Sequence, residues 1–372
     1  MIKRLSVIGL NNRIDDDLVF KEDLNIITGK NGSGKTTVLK LLWYLISGNL
    51  ERAFREIPFH SVSVETDSFS LCVEHVDSGR IRVEFTIPSE TDSTEIFEMP
   101  LKEYGQKLHV LNGRIARMMK SSLFFPTFRR IEGGFAEMDP SFFSGVEEFH
   151  YERPGRTFVE RATDQLQGAM SRLSDGISVF DHKFIVSIST HDIVDLLRGK
   201  HTEITDETND LHVQLSKEIA QKISETKESD NAALVLKDIE SLIDKATIER
   251  NLILRPLTVL SRRVVEILQY KRFSISSEIT FGETEEAITS DKLSSGEKQM
   301  LSFLCYNAFS ENTTIFIDEP ELSLHVDWQR LLLPTLLEQA TGNQFIFATH
   351  SPFIYAKYPE KEHQLAEDRG DN

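Results

Sequence analysis

The chain is short of cysteine, of long apolar runs and of positive charge. Cys72 and Cys305 are its two cysteines, and they match no metal-binding spacing. The sequence therefore predicts neither a disulfide framework nor a zinc module. No apolar run approaches the roughly 18 residues of a membrane span. The first ten residues lack the long apolar segment of a secretory leader, so we expect a cytoplasmic location.

The shortage of positive charge bears on the class of partner. Lys and Arg total 42 against 59 Asp and Glu, which gives a formal net charge of −17. Proteins that bind nucleic acid chiefly by neutralising phosphates are usually basic. The balance argues against generic DNA binding and leaves room for a small local site. The 372 residues allow two domains or one core with a large insertion, and a hydrophobic content of 40% suffices for a sizeable core.

A complete phosphate-binding pattern stands at residues 29–36, which fit G-x-x-x-x-G-K-[ST] without a mismatch. A short apolar strand pattern over 24–28 precedes it, and a helical pattern over 37–46 follows. The glycines let successive amides point at phosphate oxygens. Lys35 is predicted to reach the β- and γ-phosphates, and the Thr36 hydroxyl to bind Mg²⁺. The predicted nucleotide-binding residues are Gly29, Lys30, Asn31, Gly32, Ser33, Gly34, Lys35, Thr36 and Thr37.

Two carboxylates follow the apolar run 313–317, which predicts a buried parallel strand. Asp318 at its end is predicted to hold the magnesium ion together with Thr36. Glu319 beside it is predicted to orient and polarise the attacking water. Phosphoryl transfer depends mostly on positioning and charge neutralisation, so one carboxylate on the metal and one on the water suffice.

A histidine ends the next apolar strand pattern. His350 follows residues 344–348 and is predicted to contact the γ-phosphate, although a lone histidine is more often an ordinary surface or core residue. With Lys35 and Glu319, it completes the predicted catalytic set.

Ser294 to Glu297 open a helix predicted over 298–309. Ser294 and Glu297, three residues apart, match a capping box. The same segment offers a hydroxyl, a glycine amide and a helix N-terminus, which suit a phosphate. Both interpretations can hold together, because a cap leaves other amides free.

This order of motifs resembles the ATP-binding cassette superfamily over roughly residues 1–50 and 290–358. The resemblance implies an α/β fold: a P-loop NTPase core of this class, with a mixed sheet, an antiparallel β subdomain and a mainly helical insertion. ATP and Mg²⁺ are the implied cofactors. Residues 321–325 resemble the D-loop, which crosses the dimer. The superfamily's magnesium-sensing glutamine has only a weak candidate here, Gln106.

The resemblance also implies a partner subunit. Ser295, Gly296 and Glu297 would serve the nucleotide of a second copy, so that two chains pair head to tail and sandwich two ATP molecules. Larger homo-oligomers would be built from such dimers.

More narrowly, the chain is similar to stand-alone AAA-type ATPases (AAA_15 and AAA_21) related to OLD-family, recombination and repair, and SMC-like proteins. Segments 124–135 and 351–362 resemble the ATPase of the PARIS anti-phage system, with the Septu-type ATPase next. This implies ATP-gated control of a separate effector, a TOPRIM-like nuclease or a toxin, and a phage-encoded trigger. Few residues follow His350, so we expect no nuclease domain there. The alternative is a DNA repair or chromosome-maintenance ATPase; a transporter motor would need a membrane partner.

The motif order predicts ATPase lobe I over 1–135, an inserted region over 136–270 and lobe II over 271–372. Within the insertion, apolar residues recur at helical spacing on both sides of a polar turn at 227–231. These residues are Leu211, Leu215, Ile219, Ile223, Leu236, Ile239, Ile243 and Ala246. They predict a helical hairpin, either a short coiled-coil arm or two surface helices packed on the core. Pro256 is predicted to begin a further helix.

The densest basic stretch is interleaved with phenylalanines. Its members are Arg114, Arg117, Lys120, Phe124, Phe125, Phe128, Arg129 and Arg130. One interpretation is a surface for nucleic acid or an acidic partner. The other is a helix with a solvated face that leads into a core strand.

Overall fold

The computed structural model describes residues 1–77, 79–88, 94–100, 105–127, 130–131, 158–188, 190–225, 232–269 and 294–365. The chain forms two compact units, Met1–Ser189 with Ser310–Asn372, and Thr190–Phe309. The division at 135 and 270 that the motif order predicts stays a prediction. Among the described residues, no helix combines the length and the apolar character that crossing a membrane requires.

The described residues form fourteen strands and nine α-helices. The strands are β1 (Ile2–Leu10), β2 (Ile14–Val19), β3 (Leu24–Thr28), β4 (Ser61–Thr66), β5 (Ser70–Asp77), β6 (Arg80–Thr86), β7 (Thr94–Pro100), β8 (Ser122–Phe125), β9 (Arg130–Ile131), β10 (His182–Phe184), β11 (Ser187–Ile188), β12 (Thr314–Asp318), β13 (Gln344–Ala348) and β14 (Glu362–Gln364). The helices are α1 (Lys35–Ser47), α2 (Leu50–Glu56), α3 (Gln106–Met118), α4 (Phe158–Ile177), α5 (Thr190–Glu225), α6 (Ala232–Gln269), α7 (Ser295–Ala308), α8 (Val326–Leu337) and α9 (Pro352–Tyr355).

Two six-stranded sheets build the first unit. One is antiparallel throughout, in the order β2-β1-β4-β5-β6-β7. The other has the order β10-β8-β12-β13-β3-β14, and all its neighbours are parallel. Strands β3, β8, β12 and β13 are buried along their whole length, as expected for a parallel sheet covered on both faces. Parallel pairing brings the carboxyl ends of these four strands to one edge.

Helix α1 lies at the centre of the core. Its apolar residues share one buried cluster with side chains of β1, β4, β5 and β6, and the helix also packs on β12 and β13. Gly48 ends it, and the Gly48 amide donates to the Tyr44 carbonyl. The strand predicted at 24–28 and the helix predicted at 37–46 are confirmed.

A turn separates β4 from β5, because the Thr66 hydroxyl accepts the amides of Ser68 (3.2 Å) and Phe69 (2.9 Å). The apolar residues 182–188 are likewise divided between two short strands, since β10 pairs with β8 and β11 with β9. Alternation of apolar residues indicates a strand, but it does not predict where a side-chain hydrogen bond stabilises a turn that ends the strand.

The second unit contains a helical hairpin. Lys222 near the end of α5 lies 3.0 Å from Asp238 near the start of α6, which fixes the two helices as antiparallel. Of the apolar residues at helical spacing, Leu236 and Ile243 are 63% and 44% exposed. The half-buried face carries Val235, Ile239, Leu242 and Ala246. Spacings of four, three and four residues are those of a two-helix coiled coil.

Pro256 does not begin a helix, because it lies inside α6. Proline removes one helical hydrogen bond, and the residues on both sides of it continue the same helix. The polar turn predicted at 227–231 lies outside the described residues.

The basic stretch is divided between surface and core. Phe124 and Phe125 are 1% exposed in the middle of the parallel sheet. Arg114 on α3 pairs with Glu95 at 2.5 Å, and Arg117 stacks over the Phe180 ring. The described residues therefore favour a solvated helix that leads into a core strand. Phe128 and Arg129 lie outside the described residues.

Candidate nucleotide site

A cleft of about 590 Å³ opens at the carboxyl edge of the parallel sheet. It is lined by Asn11, Asn31, Gly32, Gly34, Lys35, Thr36, Thr37, Glu319, Glu321, Leu322 and His350. The phosphate-binding pattern, the Asp-Glu pair and the histidine are far apart in sequence. The structure brings them together because β3, β12 and β13 are neighbours in the sheet and run in the same direction.

The loop between β3 and α1 requires glycine at two points. Gly32 has φ +81°, and a Cβ there would meet nothing within 4 Å, because the residue faces open space. Gly34 has φ +88°, and its Cβ would lie 2.5 Å from Ile14 Cδ1. Gly34 is also the N-cap of α1, which no side chain caps. The first amides of the helix, with the positive end of its dipole, are therefore suited to an anion.

Lys35 is buried in this loop, with 4% of its surface exposed. Its ammonium donates to the carbonyls of Gly29 and Lys30, both at 3.1 Å. It also lies 2.7 Å from His350 Nε2. Burial lowers the pKa of Lys35, and nearby carboxylates oppose that shift. The ammonium of Lys35 is thus already directed at the histidine of a distant strand.

The cleft is rich in negative charge. Asp318, Glu319 and Glu321 all act on Lys35 and raise its pKa. Three carboxylates against one ammonium would repel a polyphosphate, so a divalent cation is needed to bring one in. Thr36 Oγ1 lies 3.1 Å from Asp318 Oδ1, and the Asp318 side chain is fully buried. A hydroxyl and a carboxylate are the oxygen ligands Mg²⁺ prefers. The residues present therefore fit this ion.

Glu319 has an unusual backbone. Its φ is +44°, a left-handed conformation that is uncommon for residues other than glycine and that tends to occur at functional sites. The Glu319 amide donates to the Ala348 carbonyl at 2.8 Å, which fixes this turn against β13. Its carboxylate Oε1 lies 3.4 Å from His350 Nε2. The two side chains predicted to act on the attacking water and on the γ-phosphate are therefore adjacent.

Glu321 fixes the position of the histidine. Its Oε1 accepts the amides of His350 (2.7 Å) and Ser351 (3.1 Å). Its other oxygen is buried and has no hydrogen-bond partner among the residues that the structure describes. The first residue of the segment resembling a D-loop is thus bound within its own chain. Sequence reasoning did not assign Glu321 this role; a third carboxylate directly after Asp-Glu-Pro was the available signal.

The capping box at Ser294 is confirmed. Ser294 accepts the Glu297 amide, and the Glu297 carboxylate accepts the Ser294 amide at 2.8 Å. Glu297 is therefore engaged in its own helix. Ser295 is half-buried and Gly296 buried, and all four residues belong to the second unit.

Gln106 is not among the residues that line the cleft. It opens α3 and lines a separate cavity of about 470 Å³ with Glu95, Phe97 and Arg114. Sequence reasoning also missed Asn11, in the turn after β1, and Thr127, just after β8. Asn11 lines the cleft, and its side-chain amide lies 3.5 Å from Thr37 Oγ1.

Comparisons with known proteins agree with this geometry. A family model described as an AAA ATPase domain matches residues 2–355. DNA replication and repair protein RecF of Acetivibrio thermocellus is 24% identical over 49% of this chain and 49% of its own length. RecF of Ruminiclostridium cellulolyticum is 24% identical over 40% of this chain and 41% of its length. The aligned part thus spans about half the length of these relatives or less.

Two solved structures are also similar. The Smc head domain with an extended coiled coil, bound to the C-terminal domain of ScpA from Pyrococcus furiosus, is 13% identical with a TM-score of 0.37. That match covers 95% of this chain and 91% of the other. An SmcHead bound to the C-winged helix domain of ScpA is 12% identical with a TM-score of 0.38. That match covers 99% of this chain and 95% of the other.

Proposed function

Because the chain belongs to the AAA ATPase domain family and is an ATPase, we propose that it binds and hydrolyses ATP in the 590 Å³ cleft. The observation that carries this proposal is the meeting of three distant motifs there. His350 Nε2 lies 2.7 Å from Lys35 Nζ and 3.4 Å from Glu319 Oε1, and Thr36 is hydrogen-bonded to Asp318.

Each side chain then has a role that follows from its position. The amides of residues 29–37 cradle the phosphates, and Lys35 leaves its carbonyl partners and His350 to bind the β- and γ-phosphates. Thr36 and Asp318 would hold Mg²⁺, which would supply charge neutralisation to the phosphate oxygens. Glu319 accepts a proton from the attacking water as its oxygen bonds to the γ-phosphorus and the bond to the ADP oxygen breaks. His350 donates to a γ-phosphate oxygen.

We further propose that two copies pair head to tail around the nucleotides. The half-buried Ser295 and the N-terminus of α7 offer a hydroxyl and helix amides to the phosphates of a partner. A Ser295→Arg variant places a bulky cation at this point. It should bind ATP as the unmodified chain does, yet lose both ATP-dependent dimerisation in light scattering and hydrolysis. Normal hydrolysis in that variant would contradict the proposal of a nucleotide site shared by two chains.

The output of this cycle that we favour is control of a separate effector, a nuclease or toxin, as in anti-phage defence. The net charge of −17 and the likeness of segments 124–135 and 351–362 to such ATPases support it. An acidic surface suits a protein partner better than a phosphate backbone.

A second candidate is ATP-dependent action on DNA. The two relatives carrying the name DNA replication and repair protein RecF favour it, and the α5–α6 hairpin adds an exposed two-helix arm.

One pair of measurements separates the two outputs. The Glu319→Gln chain, loaded with Mg-ATP, is titrated with duplex DNA in 50 and 200 mM salt. The DNA output is supported if ATP strengthens DNA binding and if the affinity falls by about 1000-fold or more between the two salt concentrations. A loss of that size is expected when several phosphates are contacted. Recovery of a nuclease or toxin on the tagged chain from its native host, with no such DNA binding, supports the effector output.

A further inference from the structure

Thr127 stands at the carboxyl end of β8, beside the predicted metal pair. Its hydroxyl donates a hydrogen bond to Asp318 Oδ2. We propose that Thr127 is a positioning residue for the magnesium-binding carboxylate: it holds Asp318 in the orientation that binds the ion, and so sets the Mg²⁺ concentration at which the site loads. This inference rests on the proposed function of the cleft.

The register of the parallel sheet places Thr127 there. Phe124 pairs with Phe316 and Phe125 with Ile317. Continued by one residue, this register sets Pro126 beside Asp318. Proline has no amide to donate, so the ladder ends at that point. Thr127 is therefore the first residue free to turn its side chain toward the carboxylate.

The two oxygens of Asp318 are held from different sides. Oδ1 accepts from Thr36 Oγ1 at 3.1 Å, and Oδ2 accepts from Thr127. The terminal torsion of an aspartate is intrinsically broad, so a donor on each oxygen is what fixes the plane of the carboxylate. Since Asp318 is fully buried, water cannot replace a lost donor at little cost.

Thr127 acts on the metal site without being a ligand in it. The predicted metal pair is Thr36 with Oδ1 of Asp318, and Thr127 binds the opposite oxygen. Hydrogen-bond partners of this outer kind orient the ligand, and their loss typically lowers metal affinity by about 10- to 100-fold.

The competing explanation is that Thr127 only ties β8 to β12. The same strand pair provides a matched control at its other end, where Ser121 Oγ lies 2.7 Å from Thr313 Oγ1, just before the two strands begin. A Thr313→Val variant breaks a hydroxyl contact between the same strands, far from the cleft.

The test compares Thr127→Val, Thr127→Ser and Thr313→Val with the unmodified chain. Binding of a fluorescent ATP analogue is followed by anisotropy, first in EDTA and then through a Mg²⁺ titration. For Thr127→Val we expect unchanged affinity in EDTA and an increase of about tenfold in the half-saturating Mg²⁺ concentration. Thr127→Ser keeps the hydroxyl and should titrate like the unmodified chain. Thr313→Val should lower the thermal midpoint without moving the titration.

Each alternative outcome is decisive. Equal Mg²⁺ titrations for Thr127→Val and the unmodified chain would overturn the positioning role, as would an equal shift in Thr313→Val. If Thr127→Val does not fold, Thr127→Ala is read in the same titration against the serine variant. If the unmodified chain itself gains no affinity from Mg²⁺, the proposed nucleotide site fails, and this inference fails with it.

Discussion

The two edges of the parallel sheet both bury polar side chains, and they use them differently. At the amino edge, Gln344 accepts the Ile2 amide and donates to the carbonyls of Ile2 and Lys21. Asn343 accepts the Thr313 amide and donates to the Ser310 carbonyl. Neutral donors meet neutral acceptors within the chain, so this edge needs nothing from outside.

At the carboxyl edge the groups are charged and unbalanced. Asp318, Glu319 and Glu321 all act on the ammonium of Lys35, which is the one Lys or Arg among the described residues that line the cleft. Asp318 is fully buried, and the other two carboxylates are half-buried. An excess of partly buried negative charge is costly, and groups perturbed in this way cluster at functional sites. Burial of neutral polar groups alone therefore does not mark a site, whereas unbalanced charge at a cleft does.

The largest expected effect comes from Glu319 at the carboxyl end of β12. Glu319→Gln keeps the shape and removes the proton acceptor, so turnover should fall by about 1000-fold while ATP binding persists and the closed dimer accumulates. Phosphate release and light scattering measure the two effects. Glu311→Gln, just before the same strand, is the control. Comparable turnover in the two variants would contradict the role of the carboxyl edge.

Lys35→Ala should weaken ATP binding by about 100-fold, because it removes the cation that meets the phosphates. Isothermal calorimetry measures the affinity. Lys40→Ala is the matched control, since Lys40 lies on the same helix and pairs with Glu56 at 3.0 Å. If the ATP affinity of Lys35→Ala is unchanged, Lys35 does not contact the phosphates.

At the amino edge the effect should be on stability alone. Gln344→Ala removes this partner from the Ile2 amide and the Ile2 carbonyl, while the Lys21 carbonyl keeps its hydrogen bond from Asn25. The loss costs about 2 kcal/mol of unfolding free energy. Urea denaturation measures the loss. ATP affinity should not change, because β13 separates Gln344 from the cleft by about 16 Å. A matching loss of affinity would show that the edges are coupled.

The smallest effect concerns His182, also at the amino edge. It is buried between Ser122 Oγ (2.7 Å from Nδ1) and the Ala116 carbonyl (2.9 Å from Nε2). Burial lowers the pKa of His182 below its ordinary 6.5, against smaller opposing contributions from the Ala116 carbonyl and Asp181. As the pH falls, His182 therefore becomes protonated in the unfolded chain at a higher pH than in the folded chain. The stability His182 contributes is fully present above pH 6.5 and is lost as the solution becomes more acidic.

Urea midpoints between pH 8 and pH 5 measure this loss. Burial also lowers the pKa values of His75 and His363, so these residues make the unfolding free energy depend on pH with the same sign. His182→Gln keeps a donor for the Ala116 carbonyl and does not titrate. Its curve should be flatter than that of the unmodified chain, and identical slopes would contradict the assignment.

Much of the site was predictable because its motifs are local. A phosphate-binding loop is a short run whose glycines and helix start determine its conformation, and Asp318, Glu319 and His350 each follow a readable apolar strand. The face of α6 was less predictable: Leu236 and Val235 are adjacent and both apolar, and only the folded chain shows that Val235 is half-buried and Leu236 exposed. Pro256 was misread because long flanking helical segments can extend through one missing hydrogen bond.

A phosphate-binding sequence motif, a candidate metal-binding aspartate and a candidate catalytic glutamate can be identified from the sequence alone, since each is encoded within a few consecutive residues. The contacts of Thr127 with Asp318 and of Glu321 with the His350 backbone are visible only in the folded chain. These contacts depend on which strands become neighbours and in which register. That choice is made by burying a whole core, and no short segment contains it.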